Sequence, residues 1–251
     1  MRIIRTYAIL TTCLAALCAC STSRNTAGTR FYHSMTAKYN VWHNGNEAYK
    51  EGYGQQEEAV KDNYLRMLPV FISSDSNLVK KGTGKFDLAI EKAQKGIKLH
   101  SISVPPKKKP GKNLTTKEKE YRTHKEFNPF MWKLWFLMAD AQQQKGEFLE
   151  AAGTYNYIAR LFSFDKKIST RAQIDMGKCY SLLDWDYEAE QVFSNFHSDS
   201  IPLSLRSYYD IVLGAHLLKQ GRYKESLPLI ENGINRNNKT KTEKYREYYI
   251  L

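Results

Sequence analysis

The sequence lacks a membrane span: the apolar run from Ile9 to Ala19 is interrupted by Thr11 and Thr12 and stops well short of the about 20 residues a spanning helix requires. It also lacks the usual signatures of catalysis. There is no His-Glu-x-x-His, no Cys-x-x-Cys and no Gly-x-Ser-x-Gly, and His33, His43, His100, His124, His197 and His216 are scattered without metal-ligand spacing. Gly82-Thr83-Gly84-Lys85 has neither the earlier glycine nor the following Ser or Thr of a phosphate-binding loop, so it reads as a turn before a helix. These absences point away from an enzyme, a cofactor, a metal and a small-molecule substrate.

What the N-terminus does contain is a secretory signal. Arg2 and Arg5 supply a positive n-region, and the short apolar run ends on the small residue Ala19. Leu17-Cys18-Ala19-Cys20 resembles the bacterial lipobox, in which a small residue precedes a cysteine that is acylated and becomes the new N-terminus. Cys20 is therefore the expected lipidation site, residues 1–19 the signal peptide and 20–30 a tether; an ordinary cleaved signal is the alternative. Cysteine usage agrees. Cys13 and Cys18 leave with the signal and Cys20 would carry lipid, so Cys179 alone remains as a thiol. Its expected state is a small buried hydrophobe on a helix.

The formal charge of +12 falls to +10 without Arg2 and Arg5, and half of that excess sits in residues 104–126. This stretch holds eight basic residues, Lys107, Lys108, Lys109, Lys112, Lys117, Lys119, Arg122 and Lys125, against three glutamates. With Pro105, Pro106 and Pro110 near its start and almost no aliphatic side chains, it reads as an exposed loop between two helical regions. An acidic protein, anionic lipid headgroups or peptidoglycan would suit the patch, and a merely solvated loop is the alternative. Nucleic acid is not expected: an exported protein would not meet it, and aromatics for base stacking are few.

Internal similarity sets the fold class. Trp135, Met138, Ala139, Gly146, Phe148, Ala151 and Tyr155 fall at the offsets of a tetratricopeptide (TPR) unit, with Gln142 where an aromatic is usual. In a second unit Met176, Gly177, Tyr180, Ala189 and Phe193 keep register, while Asp184-Trp185-Asp186 replaces the Gly-x-aromatic turn. A third has Leu213, Gly214, Leu217, Gly221, Tyr223 and Ile230, with Ser226 in the small-residue slot. Ala151, Ala189 and Ser226 are 38 and 37 residues apart. The expected fold is all-α, a TPR-like solenoid of antiparallel helix pairs interrupted by the basic insertion. The units are 127–163, 169–201 and 204–238, with a further one starting at 240–251. Residues 31–103 form an N-terminal helical region of degenerate repeat character. In it Tyr39, Trp42, Ala48 and Tyr49 suggest a hairpin broken at Gly45, and Phe86, Ala89, Ile90, Ala93 and Ile97 mark a lone amphipathic helix.

In TPR proteins the concave face is built mainly from the first helix of each unit. Carried onto these registers, that resemblance implies a groove lined by Lys133, Phe136, Asp140, Gln143, Arg171, Ile174, Lys178, Tyr208, Ile211 and Ala215, suited to a peptide or loop. Asp199-Ser200-Ile201 resembles the O-glycosylation acceptor of exported Bacteroidetes proteins, with Ser200 the modified residue; a plain interhelical turn ended by Pro202 is the competing reading.

The lipobox, Thr29-Arg30-Phe31-Tyr32-His33 running into TAKYNVWHNGNEAYKEG, the basic insertion, and FNPFMWKLWFLMADAQQQKGEFLEAAGTYNYIAR together resemble the SprE/PorW family of Bacteroidetes TPR lipoproteins. The resemblance implies an outer-membrane lipoprotein facing the periplasm, partnered with the translocon and periplasmic ring components of type IX secretion and gliding motility. It also implies that this chain corresponds to the N-terminal part of a longer protein. A generic envelope TPR lipoprotein, associated with peptidoglycan or outer-membrane assembly, is the alternative.

Overall fold

The computed structural model describes residues 21–63, 65, 68–108, 111, 113–197 and 200–240. The signal peptide, Cys20, Lys109, Lys112, Asp199 and all but the first residue of the further repeat expected over 240–251 lie outside the described residues. Every regular element among those described is helical, and the helices pack as consecutive antiparallel pairs.

The chain enters through α1 (Ala27–Thr36), started by a capping box in which Thr26 Oγ1 accepts from Thr29 N–H and Thr29 Oγ1 accepts from Thr26 N–H. It continues through a π-helical stretch (Ala37–Trp42) into α2 (His43–Ala59) with helical backbone angles at both junctions. No hairpin turn occurs at Gly45. That glycine lies inside α2 because neighbours press on it: a Cβ there would sit 2.8 Å from Leu137 Cδ2 and 3.2 Å from Lys92 Cβ. The hairpin partner of α2 is α3 (Thr83–His100), which is therefore not a lone helix. Phe86, Ala89 and Ala93 of its apolar stripe are fully buried. Thr83 opens α3, so of Gly82-Thr83-Gly84-Lys85, expected to form a turn before the helix, only Gly82 lies outside it, at φ 69°, and the other three make its first turn.

Beyond the insertion, which contains the short helix α4 (Thr116–Tyr121), three pairs follow: α5 (Met131–Gln144) with α6 (Phe148–Leu161), α7 (Lys166–Leu182) with α8 (Asp186–Ser194), and α9 (Leu203–Lys219) with α10 (Tyr223–Thr240). The repeat register is visible in the backbone. Gly146, Asp184 and Gly221 all have positive φ, at 87°, 60° and 74°. After each, an N–H returns five residues, from Glu147 to Gln142, Trp185 to Tyr180 and Arg222 to Leu217, at 2.9–3.0 Å. This Schellman closure ends the first helix of every unit. Asp184 holds the glycine slot despite its Cβ, and its carboxylate pairs with Lys219 at 2.6 Å. The small-residue positions Ala151, Ala189 and Ser226 are fully buried. Opposite them, Gly177 lets the Phe193 ring approach to 2.7 Å from where a Cβ would stand, and Gly214 does the same for Ile230. Each such large apolar side chain contributes about 1.5–3 kcal/mol when buried. The chain is thus an all-α, TPR-like solenoid.

Within the N-terminal region, α1 is fastened to the end of α3 through a buried histidine contact. His33 Nδ1 on α1 and His100 Nδ1 at the end of α3 are 3.0 Å apart, so one ring donates and the other accepts. Burial lowers the pKa of both, and the neighbouring His33 lowers that of His100 further. A histidine whose folded-state pKa lies below its unfolded value, about 6.5, supplies stability that is complete above that value and is lost as pH falls below it. Thermal melts are accordingly expected to show a marked loss of stability from about pH 7.5 to about pH 5.5, with a flatter profile in His33→Phe.

Candidate functional site

The first helices of the three repeats bring several expected groove residues together, in a polar ladder. Tyr155 on α6 donates to Asp140 Oδ1 on α5 at 2.6 Å. Arg171 on α7 reaches Asp140 at 3.5 Å and Asp175 at 3.4 Å, and Tyr208 on α9 donates to Asp175. One guanidinium therefore links carboxylates belonging to consecutive repeats. It also covers the Phe136 ring, with Cζ 4.5 Å from the centroid. Asp175 is buried, and burial pushes its carboxyl above the ordinary range against the pull of Arg171. Tyr155 and Tyr208 are likewise held protonated, first by burial and then by the neighbouring aspartates. Asp140 and Arg171 remain partly exposed.

Five of the expected groove residues are not open to a ligand: Phe136, Gln143, Ile174, Lys178 and Ile211 are buried. Much of the reason is the connection between α2 and α3. It sends Val70, Phe71 and the 3-10 turn Ile72–Ser74 onto the first helices, where Val70 and Phe71 join one core with Ile174 and Ile211. Lys178 Nζ lies 3.7 Å from the centre of the Phe71 ring. Gln143 instead turns inward to Cys179 Sγ at 3.3 Å, and burial pushes that thiol up to about 12. Lys133 sits 5.2–5.6 Å from the Trp42, Phe130 and Trp132 rings, and Ala215 is half-buried. The first-helix face of α7 and α9 is thus occupied in part by the chain's own residues, leaving the Asp140–Arg171 edge.

The basic insertion is less loop-like than its composition suggests. Thr115 and Glu118 form a capping box at the start of α4, and Arg122 donates to the Pro106 carbonyl. His124 stacks on Phe164 at 3.7 Å between centroids. Lys107, Lys108, Lys117, Lys119 and Lys125 are exposed. At the neck, Glu126 is buried: its Oε1 accepts from the N–H groups of Ile102, Phe127 and Asn128 at 2.7–3.0 Å, and its other oxygen accepts from Ser101 Oγ. The boundary of the exposed loop expected over 104–126 therefore falls before Glu126, which belongs to the folded body. Between this neck and α5–α6 lies a cleft of about 400 Å³ bordered by Ser101, Lys125, Trp135 and Tyr157. Among the described residues no group of three or more His, Cys, Asp or Glu side chains is placed to hold a metal ion. Ser200 lies in a turn, its hydroxyl donating to the His197 carbonyl at 2.7 Å.

Tyr155, Asp175, Phe71 and Glu126 were not among the sequence-derived site residues. Asp175 follows Arg171 by four positions, a spacing that marks a helical ion pair in sequence; the other three carry no local signal. No protein-family model matches the chain, and no curated protein is significantly similar to it.

Proposed function

We propose that the chain is an outer-membrane-anchored, periplasm-facing scaffold that binds proteins of the type IX secretion and gliding-motility machinery and catalyses no reaction. The repeated helix pair is the observation that carries the protein-binding part. Units that stack through small residues present extended surfaces, and the second helices here leave large apolar side chains in solvent, Tyr187 at 71% and Leu227 at 58% exposure. The type IX assignment rests on the resemblance to the SprE/PorW proteins, and the anchor rests on the lipobox ending in Cys20. In this reading the open Asp140–Arg171 edge and the second-helix aromatics receive translocon and ring components, while Cys20 keeps the array at the membrane.

Cys20→Ala is expected to abolish labelling by a fatty-acid analogue and to release the protein from the membrane fraction. Cross-linked envelopes of cells carrying the intact protein should yield translocon and periplasmic ring proteins with it. Recovery of peptidoglycan or outer-membrane assembly proteins instead would replace the type IX assignment with the generic envelope role.

A further inference from the structure

The helix α1 has two opposed faces. Thr29, His33 and Ala37 are buried, four residues apart. Two positions on from each, about 200° around where the helix has 3.6 residues per turn and less in the wider π-helical stretch that holds Ala37 and Tyr39, Phe31, Met35 and Tyr39 are 67%, 41% and 53% exposed. A helix of a globular protein normally places polar and charged residues opposite its core face. Here that face carries a continuous apolar stripe.

Basic residues border the stripe. Arg24, Arg30 and Lys38 flank it, the Lys38 ammonium lying 4.8 Å from the Tyr39 ring centre, and no Asp or Glu precedes Glu47 in the chain. The basic insertion is rooted at the same end. Asn25 Nδ2 donates to the Val104 carbonyl at 2.7 Å, His33 meets His100, and Arg122 folds back onto Pro106. The exposed Lys107 and Lys108 therefore emerge beside α1. A second copy of the chain is a poor occupant, because the face would meet its own positive charge. Apolar side chains within a basic surround are instead the signature of a helix lying in the interface of an anionic bilayer.

We propose that this end of the molecule docks on an anionic phospholipid membrane, with Phe31, Met35 and Tyr39 entering the headgroup–acyl boundary and the insertion's lysines meeting the phosphates. Cys20, seven positions before Ala27, would add its acyl chains to the same contact; that part rests on the lipoprotein reading, whereas the stripe and the charges do not.

The test uses the chain from residue 20 onward, acylated or as Cys20→Ser, with a nitroxide at Met35→Cys or, as reference, at Tyr187→Cys on α8. Vesicles are of phosphatidylglycerol mixed equally with phosphatidylethanolamine, or of phosphatidylcholine alone. With the anionic vesicles the label at 35 should become accessible to oxygen and shielded from an aqueous nickel reagent in both chains, while the label at 187 stays aqueous. Lys107→Gln with Lys108→Gln should weaken binding of the Cys20→Ser chain about tenfold or more at about 0.1 M salt and far less at about 1 M. Phe31→Ser with Tyr39→Ser should lower it at least about tenfold at either salt, with an unchanged melting curve as the folding control. A water-accessible label at 35 on the bound acylated chain overturns the proposal and leaves a simple tether. Shielding without vesicles, accompanied by a doubled mass, also overturns it in favour of self-association. Vesicle binding by the Cys20→Ser chain in the absence of any acylation at Cys20 in cells supports the docking face and removes the lipoprotein reading alone.

Discussion

Glu126→Ala is expected to lower the melting temperature by about 6–12 °C, a loss of about 3 kcal/mol in a domain of this size. The carboxylate closes the neck of the basic insertion. Its Oε1 accepts from Ile102, Phe127 and Asn128 N–H groups, and of these, among the described residues, only Phe127 has another acceptor, the Ile102 carbonyl at 2.9 Å. Alanine would strand the other two donors in a buried site, at about 1–3 kcal/mol each. Glu126→Gln should behave differently, costing under about 1 kcal/mol, because the amide oxygen keeps the three acceptor contacts and the amide nitrogen can donate to Ser101 Oγ. Burial raises the Glu126 pKa above the ordinary glutamate value, with Ser101 and the backbone donors pulling it back. A carboxyl raised in the folded state favours folding most below its unfolded pKa, and that contribution declines as pH rises through the folded one. A permanently neutral amide therefore gives up little at neutral pH.

The same geometry separates the charge of the insertion from its anchorage. Replacing residues 104–125 with a short Gly/Ser linker leaves Glu126 in place and should change stability little, since loop-closure entropy varies by only about 0.6 kcal/mol per doubling of length. Extending the replacement through 126 should reproduce the Glu126→Ala loss in the same thermal melts. Equal melting of the two replacements would show that the neck is not held by this carboxylate.

These contrasts mark how far the sequence could be read. The solenoid was legible because its determinants are local and periodic: small residues 38 and 37 positions apart sit where second helices cross first ones, and an aromatic or aliphatic residue faces Gly177 and Gly214. Even the irregular second unit kept its turn, with Asp184 adopting the backbone conformation of the glycines in the same slot. The N-terminal pair was less legible because Gly45 has two physical meanings, a helix break or a close approach, and only the positions of Leu137 and Lys92 decide between them. The groove was misjudged for a different reason. Val70-Phe71-Ile72 is a short apolar run without helical or strand periodicity, so nothing local reveals that it crosses some 100 residues of sequence to cover Ile174 and Lys178. Glu126 posed the same problem: inside a Lys-rich stretch a glutamate reads as solvated until its backbone partners are known.

Arg171→Ala should be the other strongly destabilising substitution, because it leaves Asp175 buried with its charge opposed only by more distant cations. Removing one partner of a fully buried ion pair costs about 3–5 kcal/mol, and the exposure of the Arg171 side chain, 41%, reduces this through solvent screening to about 2–3 kcal/mol. Two companions isolate the cause. Asp175→Asn in the Arg171→Ala background should recover most of the loss, since the amide oxygen still accepts from Tyr208 without a charge to compensate. Arg171→Lys should recover little: the guanidinium reaches Asp140 through Nη2 and Asp175 through Nε while lying flat on Phe136, and a single ammonium cannot reproduce that fork. The pH dependence has a definite sign. Burial already raises the Asp175 pKa, and without Arg171, which lowers it, the folded-state value rises further. Protonation then relieves the uncompensated charge, so the penalty of Arg171→Ala should shrink as pH falls from about 7 to about 5. Urea unfolding of the four proteins at both pH values measures this directly. A penalty that is independent of pH and unrelieved by Asp175→Asn would assign the role of Arg171 to its packing on Phe136, and the ladder between repeats would then be held by contact area and not by charge.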